Sequence, residues 1–201
     1  FRYLDAEFAF ILYDSRQNTW LAARDPIGIR PLYYGYSPSG HILFASEPQA
    51  LLPLVQGQMM PFPPGHYYLD GKFHIYEDIA LPRDVCQDDL ETIFGKIRSK
   101  LTAAVEKPLD DPDSRPDPHQ REGFLLSGGL DSSLVCAIAA KSLGRPIETY
   151  AIGMQADAID LKYAREVARH IGSHHHEVYI TSRQAVDALE TVIATLGTYD
   201  I

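Results

Sequence analysis

One stretch constrains this chain more than any other: S-G-G-L-D-S-S, residues 127–133. It follows a short apolar run at 123–126 and opens a helical pattern at 132–143 that stops at Gly144. Paired glycines let the backbone turn tightly and bring its N–H groups close to an oxyanion. A helix N-terminus adds partial positive charge and unbonded amides. Ser127, Ser132 and Ser133 offer hydroxyl donors to phosphate oxygens, and Asp131 can hold a Mg²⁺ that neutralises further charge. Such a strand–loop–helix junction belongs at the carboxyl end of a strand in a parallel α/β sheet. The lysine-bearing phosphate loop G-x-x-x-x-G-K-[ST] is absent, so γ-phosphoryl transfer loses support.

The flanking pattern agrees with that placement. Strand patterns at 123–126, 147–152 and 176–180 alternate with helical ones at 132–143, 160–171 (ended by Gly172) and 182–196. Ser182 reads as the N-cap of the last helix and Asp160 as a cap of the one before. Alternation of this kind implies parallel βαβ units. Upstream, Leu90, Ile93, Phe94, Ile97, Leu101, Ala104 and Val105 recur at three and four residues, one face of an amphipathic helix expected to end near Pro108.

The first 80 residues have a different texture. Aromatic and β-branched runs at 8–13, 20–23, 32–36 and 42–45 read as strands, separated by turn residues. Runs at 65–69 and 73–76 bracket Asp70–Gly71, a strong hairpin signal. A short helix is expected at about 47–55. Between the two textures, residues 108–121 hold four prolines and four aspartates and read as a solvated loop. The division expected is 1–80, a linker at 81–87, and 88–201.

Lys and Arg total 18 against 27 Asp and Glu, a formal charge of −9. That balance, without a basic run, argues against nucleic-acid binding, which draws its affinity from Lys and Arg. No apolar run is long enough for a transmembrane helix, and neither of the two cysteines, Cys86 and Cys136, implies a disulfide framework. A cytoplasmic setting with no membrane partner is the expectation. Phe1 enters a strand pattern at once and the chain stops in an apolar segment, so both ends read as cut.

With these residues in view, L-L-S-G-G-L-D-S-S resembles the pyrophosphatase loop of the N-type ATP pyrophosphatases, which cleave ATP between the α and β phosphates. L-D-A-E-F-A-F-I-L-Y-D, then A-A-R-D-P-I-G-I-R-P-L-Y-Y-G-Y and F-A-S-E-P-Q-A-L-L, resemble the second half of a class II glutamine amidotransferase domain. T-Y-A-I-G-M, D-L-K-Y-A-R-E-V-A-R-H-I-G-S-H-H-H-E-V and the final T-Y-D-I resemble the glutamine-hydrolysing asparagine synthetase family. The resemblance covers nearly the whole chain. It implies an α/β fold: the C-terminal part of an αββα glutaminase domain of the Ntn-hydrolase type, then the start of a Rossmann-like ATP pyrophosphatase domain.

It also implies a reaction. Glutamine, aspartate and ATP with Mg²⁺ become asparagine, glutamate, AMP and pyrophosphate through β-aspartyl-AMP, and a homodimer is compatible with it. The nucleophilic cysteine of the glutaminase half would lie upstream of Phe1, so no catalytic residue is expected here. By the resemblance Asp5 binds the glutamine α-amino group. Leu126, Ser127, Gly128, Gly129, Asp131, Ser132, Ser133 and Ile152 form the ATP site, with Asp131 meeting Mg²⁺ through the pyrophosphate. Pattern alone reads Ile152 as a core residue. Arg24, Asp25 and Gly28 match a signature expected to shape the sheet and a domain interface. His174 and His176 share one strand face, yet the family has a His-rich edge here without a metal.

Three departures stand out. Gly197 replaces a family glutamate, which puts the end of that helix in question; Ala6–Glu7 replaces a glycine-containing pair; and residues 108–121 look inserted. The alternatives are a β-lactam-synthetase-like enzyme that adenylates another carboxylate, and a degenerate paralogue without catalysis. The isolated 201 residues are expected to have neither activity.

Overall fold

A computed structural model describes residues 1, 3–81, 84–110, 122–154 and 159–197. The expected loop lies largely outside these residues, as do the terminal T-Y-D-I positions and the Asp160 side chain. Contacts divide the chain into two units, Phe1–Cys86 with Glu190–Ile201, and Gln87–Leu189.

The first unit is built on antiparallel strands: β1 (Ala9–Asp14), β2 (Thr19–Arg24), β3 (Tyr33–Tyr36), β4 (Ile42–Ala45), β5 (Met60–Pro61), β6 (His66–Leu69) and β7 (Lys72–Ile75). They form a four-stranded sheet in the order β1-β2-β6-β7 and a three-stranded sheet in the order β4-β3-β5. Alternation along β2 sends Ala22 and Ala23 to opposite faces, and both are fully buried. Ala22 joins Leu32, Phe62 and Tyr68, with Tyr34, Ile42 and Phe44 of the other sheet packed on them, which makes a core between two sheets. Ala23 joins Phe8 and Tyr76 under Phe1, Phe10 and Tyr67 on the far face. Asp70 and Gly71 adopt φ of 51° and 79°, the left-handed pair that a tight hairpin turn requires. The expected helix at 47–55 is only α1 (Pro48–Leu51). The sequence pattern did not reveal β5, because two residues paired with Tyr33 and Tyr34 leave no period to read.

The second unit is α2 (Leu90–Asp110), β8 (Gly123–Leu125), α3 (Leu130–Leu143), β9 (Glu148–Met154), α4 (Ile159–Ile171), β10 (His174–Ile180) and α5 (Ser182–Leu196), the last of which runs on into residues grouped with the first unit. Its three strands are parallel, in the order β10-β9-β8. Leu126, Cys136, Ala139, Ile147, Leu161, Ala164 and Ala168 form a core between this sheet and helices α3 and α4. Gly144 and Gly172 end those helices with φ of 60° and 69°, as their positions foretold.

Several boundaries differ from expectation: α3 begins at Leu130, β9 reaches Met154 and β10 begins at His174, and two helix ends differ for a chemical reason. α2 passes Pro108 and reaches Asp110, because in a last turn the ring removes a single intrahelical bond. The cap of α5 is Thr181 rather than Ser182: Thr181 Oγ1 accepts the Gln184 N–H at 3.2 Å, and Gln184 Oε1 accepts the Thr181 N–H at 2.9 Å. This reciprocal box satisfies two end amides, which a lone serine at 182 cannot do. At the other end Gly197, with φ of 69°, donates its N–H to Ile193 at 2.8 Å and closes the helix. Gly197 therefore ends α5 in the left-handed cap geometry.

Candidate functional site

The loop expected from the sequence sits where the topology predicted, between the end of β8 and the first turn of α3. Leu126 is buried and donates its N–H to the Tyr150 carbonyl at 2.8 Å, which ties the loop's entrance to β9. Leu125 pairs with Tyr150, so positions 126–127 run beside 151–152. The structure thus brings Ile152 to the same sheet end as the loop. Its side chain is 63% exposed and not in the core, which corrects the reading from pattern alone.

The serines hold the loop's shape as well as lining it. Ser127 and Ser132 hydroxyls lie 3.0 Å apart, the Ser127 N–H donates to Ser132 Oγ at 3.3 Å, and the Gly129 N–H donates to Ser127 Oγ at 3.4 Å. Ser133 Oγ donates back to the Gly129 carbonyl at 2.6 Å. Among the described residues, the amides of Gly128, Leu130, Asp131 and Ser132 have no acceptor and the Asp131 carboxylate has no partner. Unbonded amides at a helix N-terminus receive an anion, and an unengaged carboxylate beside them suits a cation bound to that anion. The residues present therefore fit a Mg²⁺-bearing polyphosphate.

Gly128 has a second reason to be glycine. Its φ is 83°, and a Cβ there would lie 2.5 Å from the Ala164 nitrogen and 2.7 Å from the Tyr163 carbonyl carbon. The start of α4 is the shelf under the loop. Sequence reading missed this, since the contact spans 36 positions and leaves no local signal.

The Arg24–Asp25–Gly28 signature is a structural hub of the first unit. Buried Asp25 accepts the N–H groups of Ile27, Gly28 and Ile29 on Oδ1, at 2.6–3.1 Å, and that of Arg30 on Oδ2 at 3.1 Å. Burial pushes its carboxyl up, but these four donors outweigh burial and hold it below the usual range. The Arg24 guanidinium donates to the carbonyls of Arg30, Phe62 and Gly28 at 2.6–2.8 Å, binding the turn to the second sheet. Asp5 lies exposed ahead of β1.

The three histidines separate by face. His174 Nδ1 and His176 Nε2 donate to the two oxygens of Glu148, at 2.9 and 2.8 Å, and His176 stacks on Tyr150 with ring centres 4.8 Å apart. His175 points the other way, bonds Thr149 Oγ1 at 3.0 Å, and leaves Nε2 buried 3.6 Å from Glu177. Burial pushes its imidazole below the ordinary histidine value. Among the described residues no group of three His, Cys, Asp or Glu is shaped to hold a metal. Nor is any described helix long and apolar enough to cross a membrane.

Comparison with known proteins bears on this geometry. Residues 96–200 match the model of the asparagine synthase family, and residues 1–53 match that of a glutamine amidotransferase domain. The chain belongs to the asparagine synthase family. It is 40% identical to the glutamine-hydrolysing asparagine synthetase of Gallus gallus over 98% of this chain and 39% of the relative. Asparagine synthetase 2 of Arabidopsis thaliana is 40% identical, with 98% and 34% covered, and asparagine synthetase B of Escherichia coli K12 is 36% identical, with 98% and 37% covered. The chain therefore spans between a third and two fifths of these relatives. In this chain strands β1 to β4 of the antiparallel part lie in the region matching the amidotransferase model, and the parallel sheet and the loop at 127–133 lie in the region matching the asparagine synthase model.

Proposed function

We propose that this chain is part of an ATP-dependent amidoligase that makes asparagine from aspartate, with glutamine as nitrogen donor. The observation that carries the reading is the 127–133 loop: among the described residues, the amides of Gly128, Leu130, Asp131 and Ser132 have no acceptor at the N-terminus of α3, beside an Asp131 carboxylate without a partner. Such a loop holds the β and γ phosphates while a carboxylate oxygen of aspartate attacks the α phosphorus, so that pyrophosphate leaves with the electrons of the broken P–O bond. Ammonia then attacks the acyl carbon of β-aspartyl-AMP and AMP departs. Mg²⁺ supplies charge neutralisation on the polyphosphate, and Asp131 is the residue that would meet it.

In this reading Leu126 and Ile152 present backbone to the adenine from adjoining strand ends, and Ser127, Gly128, Gly129, Ser132 and Ser133 bind the pyrophosphate. Asp5 holds the α-amino group of glutamine. Residues 1–80 belong to the glutaminase domain and 88–201 to the synthetase domain, joined at 81–87. The setting is cytoplasmic, where these substrates occur together.

The test is product analysis with the full-length protein. Asparagine, glutamate, AMP and pyrophosphate in equal amounts are expected. Pyrophosphate that requires a carboxylate other than aspartate would move the reading to a β-lactam-synthetase-like enzyme, and no ATP-dependent product would make the chain a non-catalytic paralogue.

A further inference from the structure

We propose that Arg165 is a positioning residue for the 127–133 loop, acting through Glu177 and Tyr179 to fix the start of α4 beneath Gly128. The inference rests on reading that loop as the pyrophosphate site.

Two contacts in the second unit meet at consecutive residues. Tyr163 and Ala164 form the backbone shelf against which Gly128 turns, with no space between them for even a methyl group. The turn at Gly128 therefore lies directly against the backbone of α4, so a shift of that helix would press on the loop or withdraw its support. The next residue, Arg165, ties that same turn of α4 to β10. Its Nε donates to Glu177 Oε1 at 2.5 Å and its Nη2 to Glu177 Oε2 at 2.9 Å and to the Tyr179 hydroxyl at 2.6 Å. Tyr179 in turn donates to Glu177 Oε2 at 2.6 Å. A forked guanidinium–carboxylate pair closed by a third group defines angle as well as distance.

The rest of the grip on α4 is of another kind. Leu161, Ala164 and Ala168 pack into the core. Apolar burial holds the helix down, but it is non-directional and resists sliding along the helix axis weakly. The pair also does little for stability, since the Arg165 side chain is 45% exposed and such pairs contribute little. Its geometry, one residue from the shelf, is what it adds. Arg165 and Glu177 are not catalytic residues in this account, because they act through the backbone of α4.

The experiment uses the full-length protein carrying Arg165→Gln, Glu177→Gln, both together, or the charge swap Arg165→Glu with Glu177→Arg. Kd for Mg·ATP is measured by calorimetry, and KM for ATP and kcat by aspartate-dependent pyrophosphate release. Each single variant is expected to weaken ATP on both measures by about tenfold. The KM for aspartate should stay unchanged and Tm should fall by no more than about 2–4 °C. The double variant should be no worse than either single, and the swap should recover part of the loss. Val167→Ala serves as a control that loosens α4 packing without touching the fork. ATP affinity within twofold of wild type in both single variants overturns the proposal, as does an equal ATP defect in Val167→Ala at the same Tm. A wild-type protein that binds ATP and releases pyrophosphate while the variants behave normally defeats only this inference. A wild-type protein that neither binds ATP nor makes pyrophosphate defeats the proposed function and this inference with it.

Discussion

The turn at residues 25–30 and the loop at 127–133 solve the same backbone problem with opposite outcomes. Each gathers several N–H groups around a glycine in the left-handed region, Gly28 with φ of 77° and Gly128 with φ of 83°. In the first, the chain supplies its own anion: Asp25 accepts four amides and is 2% exposed. In the second, the amides of Gly128, Leu130, Asp131 and Ser132 have no acceptor among the described residues, and the nearby carboxylate of Asp131 is exposed. A cluster of amides filled from within becomes architecture, while one left unfilled at a helix N-terminus is ready for a ligand. Two aspartates beside two glycine turns thus differ in role because of where their carboxylates point.

The sharpest test of that contrast exchanges each aspartate for alanine. Asp25→Ala removes a buried carboxylate that accepts four amides and should destabilise the protein by about 2–3 kcal/mol, read as a shift in denaturant midpoint. Asp131→Ala should cost less than about 1 kcal/mol, the worth of a first-turn acid, yet lower ATP-dependent pyrophosphate release by about a hundredfold. Equal stability losses at the two positions would erase the distinction.

Gly128→Ala comes next. A Cβ there meets the Ala164 backbone, which cannot step aside, so ATP turnover should fall at least about tenfold with a stability loss of about 1–3 kcal/mol. In Gly28→Ala the new methyl meets Pro64 Cγ at 2.9 Å and the Arg24 guanidinium carbon at 3.0 Å, so its loss should appear in stability alone. Thermal unfolding and pyrophosphate assays on both variants separate the two roles.

Acid should divide the units as well. His175 is held below the ordinary histidine value by burial, so the unfolded chain takes up a proton first. The stability it contributes is present above about pH 6.5 and declines as pH falls through that value. Asp25 is held below the usual carboxylate range, so its contribution survives until pH drops through about 4. Hydrogen exchange followed from pH 7 to 5 should show protection falling around β9 and β10 while β2 and β6 keep theirs. His175→Gln should flatten the first effect. The smallest change expected is Thr181→Ala, which opens the capping box of α5 at a cost of about 1 kcal/mol.

Much of the structure was legible where its cause is local. The Asp70–Gly71 turn, the glycines that end α3 and α4, the alternation of β8 to β10 with helices, and the position of the 127–133 loop all follow from dihedral preference or period over a few residues. Reading failed where the cause lies far along the chain or in a very short element. β5 has two residues and exists through its pairing with Tyr33 and Tyr34. Gln184 reaches back to Thr181, which moved the cap one residue from the serine that pattern favoured. Ile152 reads as core by composition but stands exposed at a strand end. The contact of Gly128 with Tyr163 and Ala164 joins two segments that share no pattern.

By itself the amino-acid sequence determined the two textures of the chain and the parallel α/β placement of S-G-G-L-D-S-S, because glycine torsions, hydrophobic period and helix-end chemistry act within a few residues, and its resemblance to known sequences gave the family. Only the tertiary structure decided which aspartate is spent inside the fold and which faces outward, and which of three adjacent histidines is buried. It alone placed α4 beneath the loop. Those outcomes depend on strand register and on side chains dozens of positions apart, whose distances no local pattern encodes.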